Sequence, residues 1–166
     1  EDRKETGLVL CRDIHENANY VTWQKTPGFF KGRKASAANT RRMIERLAIR
    51  CKSPAQAVGS LSGGNQQKVA LSKWLLSGAR VLVLDEPTRG VDVGARQEIY
   101  RIVRELAAEG VAIVIVSSDL PEILAICERV VVMHEGRVTG ELNASELSEA
   151  KIMYYATDVQ VAEKGA

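Results

Sequence analysis

Two uninterrupted apolar runs constrain the fold of this chain more than any other feature. Residues 81–84 read VLVL and residues 111–116 read VAIVIV, and each run is followed by a segment with apolar residues at helical spacing. Strands without polar alternation, separated by helices, are typical of a parallel sheet covered on both faces. The sequence therefore predicts an α/β fold with a mostly parallel sheet. No run of about 18 apolar residues exists that could span a membrane.

The remaining helices and turns are predicted from helix-capping residues and from the periodicity of apolar residues. Residues 1–39 are predicted to be irregular, with a loop at TPGFFKGRKASAAN, and a helix is predicted from Thr40 until the KSP stretch before Pro54. Further helices are predicted from Ser62 or Gly63 to Gly78, from about 93 to 109, after the second apolar run with Pro121 in the first turn, and from near Ser145. A hairpin is predicted around Glu135–Gly136.

The stretch LSGGNQQKV, residues 61–69, places two glycines where a helix begins. Glycines there allow close backbone approach, and the first N–H groups of the helix lie at the positive end of its dipole. Ser62 adds a hydroxyl, Asn65 and Gln66 add amide donors, and no acid lies between Ser60 and Lys73. The pattern predicts an anion site. The alternative is that Ser62 is only an N-cap.

Two carboxylates follow the first apolar run in VLVLDEPT. Asp85 and Glu86 lie at the carboxyl end of a buried strand, where open α/β sheets bind ligands. An aspartate there suits Mg²⁺, which takes one or two carboxylates together with phosphates and water. The neighbouring glutamate is then placed to orient or deprotonate an attacking water. A pair of solvated carboxylates is the simpler alternative.

The two stretches together resemble the ATPase subunits of ABC transporters. LSGGNQQKV is similar to the signature motif of that family, and VLVLDEPTRGVD to its Walker B strand and D-loop. The sequences of three stretches further resemble the second cassette of the two-cassette ATPases of bacterial sugar importers, such as those for ribose, galactose, arabinose and xylose. These stretches are EDRKETGLVL, GGNQQKV and DEPTRGVDVGA. The resemblance implies a partial P-loop NTPase core plus a helical subdomain. It divides the chain into a helical-subdomain region at 1–78, the C-terminal part of the ATPase core at 79–157 and a polar tail at 158–166.

The resemblance also implies roles and partners. Ser62, Gly63 and Gly64, with Gln66, would hold the γ-phosphate of an ATP bound to a facing cassette. Asp85 would bind Mg²⁺ through water, Glu86 would be the catalytic carboxylate, and the loop ending at Asp92 would cross to the partner. Asp92 is equally well explained as a helix cap. The implied partners are the facing cassette, membrane-spanning permease subunits and, indirectly, a periplasmic sugar-binding protein, which places the protein at the inner face of the cell membrane.

Two departures from the family pattern bear on activity. No G-x-x-x-x-G-K-[ST] phosphate loop is found, because Asn65 and Gln66 stand where Lys and Ser/Thr would follow Gly59 and Gly64. The chain therefore resembles the C-terminal half of one cassette, which alone is expected to bind ATP weakly and to be inactive. The family's histidine before Asp119 is replaced by Ser118, which cannot supply a titrating imidazole. The ATP site built around Glu86 is therefore predicted to be the weaker of two.

Other classes of protein remain compatible with these motifs. Between Tyr20 and Lys52 there are nine Lys or Arg residues and one acid, Glu45, which would suit a DNA-repair or chromosome-organising ATPase. No heptad pattern accompanies the motifs, however, and a solvated basic face explains the charge without nucleic acid. A regulatory cassette without catalysis is the second alternative. A sheet with open edges and an apolar face is also expected to self-associate.

Overall fold

The computed structural model describes residues 7–25 and 33–157, so the polar tail predicted at 158–166 and the first half of the predicted TPGFFKGRKASAAN loop lie outside the described residues. The second half of that loop is helical, because the helix predicted from Thr40 already begins at Arg33. The chain forms two compact units that divide between Val116 and Ser117. This division differs from the boundary predicted at 78/79, because α3 (Gly63–Leu76) packs against α4 (Val93–Ala108) within the first unit.

The first unit combines helices with a short parallel sheet. Besides α3 and α4 it contains α1 (Ile14–Lys25), α2 (Arg33–Arg46), a short 3-10 turn at Val58–Ser60, and the strands β1 (Val81–Asp85) and β2 (Ala112–Val116). α3 packs against α1 as well as α4, and α4 packs against β2. The helices predicted from Ser62 or Gly63 and from about residue 93 are confirmed to within one or two residues. None of the described helices is both long and apolar enough to cross a bilayer.

Helix α1 contradicts the prediction that residues 1–39 are irregular. The Asp13 carboxylate accepts from the Glu16 N–H at 2.7 Å, and a Glu16 carboxylate oxygen accepts from the Asp13 N–H at 3.4 Å, which is a capping box. The inward face of α1 carries Asn17 and Asn19, whose amides bond to the main-chain oxygens of Val9 and His15, among others. Because polar side chains fill this buried face, an apolar period could not reveal the helix.

The parallel sheet is covered on one face only. β1 and β2 pair in register from Val81↔Ala112 to Asp85↔Val116, and the side chains of Leu82 and Leu84 are buried. The alternate side chains face outward: Val81 and Val83 are 60% and 67% exposed, and Val114 is 51% exposed. The prediction of cover on both faces is therefore wrong for the described residues.

The second unit is a hairpin backed by helices. It consists of α5 (Leu120–Ile126), β3 (Arg129–His134), β4 (Arg137–Asn143), a 3-10 turn at Ala144–Glu146 and α6 (Glu149–Ala156). The strands pair antiparallel around Glu135–Gly136, as predicted. Val130, Val132, Leu142 and Ile152 form its buried core.

Candidate functional site

The amino end of α3 is open at the surface. Ser62 is the N-cap residue by position and is exposed, yet among the described residues no backbone N–H of α3 donates to its hydroxyl. Instead, Ser62 Oγ accepts a hydrogen bond from Asn65 Nδ2 at 2.8 Å. The simple capping role considered for Ser62 is therefore not the one seen, and the first-turn N–H groups of α3 have no partner within the helix.

Gly64 is required by the packing of α3 on α4. A Cβ atom built at Gly64 would lie 2.5 Å from the Cβ of Ala95 and 3.5 Å from Val91 Cγ1. Real Cβ atoms do not approach so closely, so only glycine permits this separation of the two helices. The second glycine of the predicted anion site thus has a structural reason that involves no ligand.

A cavity of about 200 Å³ lies where the first turns of α3 and α4 meet. Ser62, Gly64 and Asn65 line it from α3, and Asp92 with Ala95 line it from α4. Asp92 caps α4, because its Oδ1 accepts from the Ala95 N–H at 2.9 Å. The positive end of the α3 dipole therefore borders the cavity and favours an anion there, whereas the Asp92 carboxylate already occupies the amino end of α4.

Three charged side chains form the wall of this cavity. Glu98 accepts from Lys68 Nζ at 2.6 Å with one carboxylate oxygen and from Arg50 Nη2 at 2.8 Å with the other. Lys68 has a side chain only 2% exposed, and its ammonium also donates to the Ala48 carbonyl at 3.0 Å. This charged cluster, Arg50–Lys68–Glu98, joins α3, α4 and the segment after α2. It fixes the walls of the cavity around the open end of α3.

The charged cluster makes stability depend on pH. The hydrogen bond from Lys68 is the main cause that holds the pKa of Glu98 below its ordinary value of 4.5, with Coulombic contributions from Lys68, Arg50 and Arg101. A lowered folded-state pKa means that the stabilisation is present above about pH 4.5 and is lost as the pH falls through the lowered value.

We expect Glu98→Gln to reduce the free energy of unfolding by about 1 kcal/mol at pH 7, since the Glu98 side chain is 34% exposed and the replacing amide oxygen can still accept from the buried Lys68. The difference from the unsubstituted chain should shrink as the pH falls below 4.5, measured by urea denaturation across a pH series. Glu105→Gln is the matched control, because Glu105 pairs with Arg101 on the same helix with both side chains more than half exposed. A constant difference at all pH values would contradict the assignment.

The predicted catalytic carboxylates lie at the end of β1. Asp85 ends the strand and is exposed, on the same outward face as Val81 and Val83. Glu86 follows with φ = 46°, a left-handed conformation that is uncommon for residues other than glycine. Its N–H donates to the Val116 carbonyl at 2.8 Å and its carbonyl accepts from the Arg89 N–H at 3.1 Å. Ala48 and Glu135, the latter in the hairpin turn, have nearly the same φ, so at Glu86 this conformation marks the turn after β1.

The donor set at Asp85 fits a metal only when a ligand supplies the remaining oxygens. Within the described residues, no group of three or more His, Cys, Asp or Glu side chains is placed to hold a metal ion. Mg²⁺ is commonly bound through one or two carboxylates plus phosphate oxygens and water, which a single exposed aspartate can satisfy. The site therefore fits Mg²⁺ that arrives with a nucleotide.

Not every predicted site residue lies where the pattern placed it. Gln66 is 5% exposed, and its amide Nε2 donates inward to the carbonyls of Val58 at 3.3 Å and Leu61 at 3.1 Å. The prediction that Gln66 donates to the anion is corrected accordingly, because on the helix it lies on the buried face. Ser118 lies in the second unit, in the turn before α5.

Sequence reasoning also missed the charged cluster. Lys68 sits in the run QQKVAL and was not distinguished from a surface lysine, and Glu98 is 30 residues away along the chain. The one sequence feature that could have indicated this cluster is the position of Lys68 on α3. It lies next to Val69 and one turn before Leu71 and Ser72, on the side of the helix that is buried.

Known proteins with similar sequences are named as import ATP-binding proteins for sugars. The chain matches the family described as ABC transporter over residues 3–89, just over half of its length. It is 50% identical over 158 residues to a putative ribose/galactose/methyl galactoside import ATP-binding protein 1 of Rhizobium etli, and 50% identical over 159 residues to the ribose import ATP-binding protein RbsA of Streptococcus agalactiae. Each alignment covers 95% of this chain but only 30% and 32% of these relatives. The chain thus spans about a third of their length.

Solved structures with the same fold are ATP-binding cassettes. A dimeric cassette, MJ0796, in a post-hydrolysis state bound to ADP and Pi, has a TM-score of 0.70 and 20% identity, covering 85% of this chain and 60% of that chain. An inward-facing putative metal-chelate type ABC transporter has a TM-score of 0.76 and 14% identity, covering 89% of this chain and 59% of that chain. The fold is therefore that of an ATP-binding cassette. Together with the sequence match, this means that the chain belongs to the ABC transporter family.

Proposed function

We propose that this chain is part of the ATP-hydrolysing subunit of an ABC importer for carbohydrates. The observation that carries the proposal is the open amino end of α3, where the exposed Ser62 hydroxyl caps no N–H of its own helix among the described residues. The names of its relatives, which describe ribose and galactose import, support a sugar as the transported substrate. This function also accounts for the two carboxylates at the end of β1.

The amino end of α3 serves as the signature surface for a nucleotide. Ser62 and the N–H groups of Gly63 and Gly64 donate to the γ-phosphate of an ATP held by a facing cassette, and the dipole of a 14-residue helix adds to the attraction. Gly64 contributes by its backbone and by its close packing on α4. Asp92 acts as the cap of α4 and presents the loop before it to the partner.

The end of β1 serves a second nucleotide. Asp85 holds Mg²⁺ through water, and the metal supplies charge neutralisation for the phosphates. Glu86 orients and deprotonates the attacking water. Ser118, in the position where the family carries histidine, provides no imidazole, so this second site turns over more slowly than the one served by the signature surface.

The partners follow from the same assignment. A facing cassette completes both nucleotide sites, as the dimeric arrangement of the MJ0796 cassette supports. Permease subunits carry the substrate across the membrane, a periplasmic binding protein delivers it, and the ATPase lies peripherally on the cytoplasmic side. The basic segment does not need nucleic acid to balance all of its charge, because two of its arginines form ion pairs within the chain. Arg46 is paired with Glu109 and Arg50 with Glu98.

Substitutions at Ser62 and at Glu86 distinguish the two proposed nucleotide sites in the complete ATP-binding protein that contains this chain. Ser62→Arg places a bulky side chain over the open end of α3 and is expected to lower ATP turnover by about 100-fold. Glu86→Gln removes a general base but is expected to lower total turnover by less than twofold, because the other site carries most of it. Steady-state phosphate release measures both.

The matched control is Gln67→Arg, which adds the same side chain to α3 at a half-buried position outside the proposed surface. Unchanged turnover in both the Ser62 and the Glu86 variants would overturn the proposal. Loss of turnover in Glu86→Gln alone would reverse the assignment of the stronger site.

A further inference from the structure

We infer that Asn65 is a positioning residue that sets the direction of the Ser62 hydroxyl, so that the Ser62 O–H is left to donate to a ligand. This inference rests on the proposed function of the α3 amino end and adds to it a series of two consecutive hydrogen bonds. The series runs from the main chain at Arg50, through the side chain of Asn65, to the oxygen of Ser62.

The first hydrogen bond fixes the orientation of the Asn65 amide. The backbone N–H of Arg50 donates to Asn65 Oδ1 at 2.8 Å. A backbone N–H is only a donor, so the atom facing it must be the carbonyl oxygen and not the NH₂ group. The alternative flip of the amide would place two donors against each other, and it is excluded on chemical grounds.

The second hydrogen bond follows from that orientation. With Oδ1 turned to Arg50, Asn65 Nδ2 faces Ser62 Oγ at 2.8 Å and donates to it. The Ser62 oxygen is then an acceptor for Asn65, and its own O–H points away from the amide, toward the solvent-exposed side. Aligned donors polarise one another, so the outward O–H becomes a better donor to a phosphate oxygen.

The charged cluster lies next to the first of these hydrogen bonds. Glu98 holds the Arg50 side chain at 2.8 Å and also holds Lys68, which is buried between α3 and α4. The Lys68 ammonium also donates to the Ala48 carbonyl at 3.0 Å, which holds the main chain two residues before Arg50 against α3. A bond from a fixed donor gives Asn65 one orientation before any ligand arrives, which removes an ordering cost from ligand binding.

The geometry can be tested on this chain without any nucleotide. In a spectrum of side-chain amides, Ser62→Ala is expected to shift the two Asn65 Nδ2 hydrogens and to leave those of Gln67 in place. Unmoved Asn65 signals would overturn the inference whatever the function of the protein.

Turnover in the complete ATP-binding protein tests the consequence. Ser62→Ala is expected to lower kcat/KM about tenfold, the size of one hydrogen bond to a charged group. Asn65→Leu is expected to lower it about threefold through lost preorganisation, with no further loss when it is combined with Ser62→Ala. Asn65→Asp keeps the acceptor for the Arg50 N–H but presents an oxygen to Ser62, which turns the hydroxyl inward. We expect it to lower kcat/KM about 30-fold, by reversing the hydroxyl and by adding a negative charge near the anion.

Gln67→Leu and Gln67→Glu are the matched controls for shape and charge on the same helix. If Ser62→Ala leaves kcat/KM unchanged, the proposed function of the α3 end fails, and the inference about turnover fails with it. If Ser62→Ala has its effect while Asn65→Leu and Asn65→Asp match their controls, the proposed function stands and the inference is overturned. An equal loss from Asn65→Leu with and without Ser62→Ala also overturns it.

Discussion

Substituting Gly64 with alanine is expected to destabilise the chain by about 2 kcal/mol, within the range for overpacking a tight core contact. The added methyl group would sit 2.5 Å from Ala95 Cβ, and both atoms are held by helical backbone, so α3 must move away from α4. The same movement displaces Ser62 and Asn65 from the cavity, so ATP turnover of the complete protein should fall more than tenfold. Urea denaturation and phosphate release measure the two effects.

The chain offers a compensating variant for this prediction. Ala95→Gly removes the atom that the new methyl group meets, and the next neighbours are Val91 Cγ1 at 3.5 Å and Ala95 Cα at 3.8 Å. The double variant Gly64→Ala with Ala95→Gly should therefore recover most of the lost stability, less the roughly 1 kcal/mol that glycine costs within a helix. A loss that Ala95→Gly does not relieve would show that packing on α4 is not the reason for Gly64.

Self-association through the open face of the β1–β2 sheet is the second large effect expected. The side chains of Val81, Val83, Val114 and Val116 are each more than half exposed on that face. We expect the chain to dimerise, and Val83→Lys with Val114→Lys to weaken the dimer at least 100-fold, since burying two valines contributes about 3 kcal/mol. Sedimentation equilibrium over a concentration series measures the dissociation constant.

The control for the sheet is a pair of substitutions in the second unit. Met133→Lys with Val138→Lys changes a cross-strand pair on the exposed side of the hairpin, where the neighbouring Val131 is paired with Glu141. The charge of Glu141 makes that side of the hairpin less apolar than the open β1–β2 face. We therefore expect the dimer to persist in this double variant. A monomer at high concentration in the unsubstituted chain would refute self-association.

The sequence predicted best where local signals agreed with each other. α3 and α4 begin within one residue of the predicted positions, because Ser62 with paired glycines and Asp92 each mark a helix start that an apolar period then supports. Helix α1 was missed because its buried residues include Asn17 and Asn19, so the apolar period was absent. Its Asp13–Glu16 capping box is a local signal that could have found it.

The candidate site was predictable in its main-chain features and not in its long-range contacts. The open end of α3 and the carboxylates after β1 follow from single short stretches. The inward turn of Gln66 depends on which side of α3 is buried, and the pairing of Lys68 with Glu98 joins two helices. Cover on both faces of the sheet was wrong because apolar residues on both sides of a strand show what a strand can bury, not what is present to cover it.

The main-chain origin of one hydrogen bond affects how this protein can evolve. Because Asn65 is held by the backbone N–H of Arg50, that bond survives replacement of Arg50 by any residue except proline. Position 50 is therefore free to drift across species as far as Asn65 is concerned, and only its ion pair with Glu98 is at stake. Position 65 has no such latitude, because its side chain must accept at one atom and donate at another. Natural variants should accordingly diversify at the first position while keeping an amide at the second.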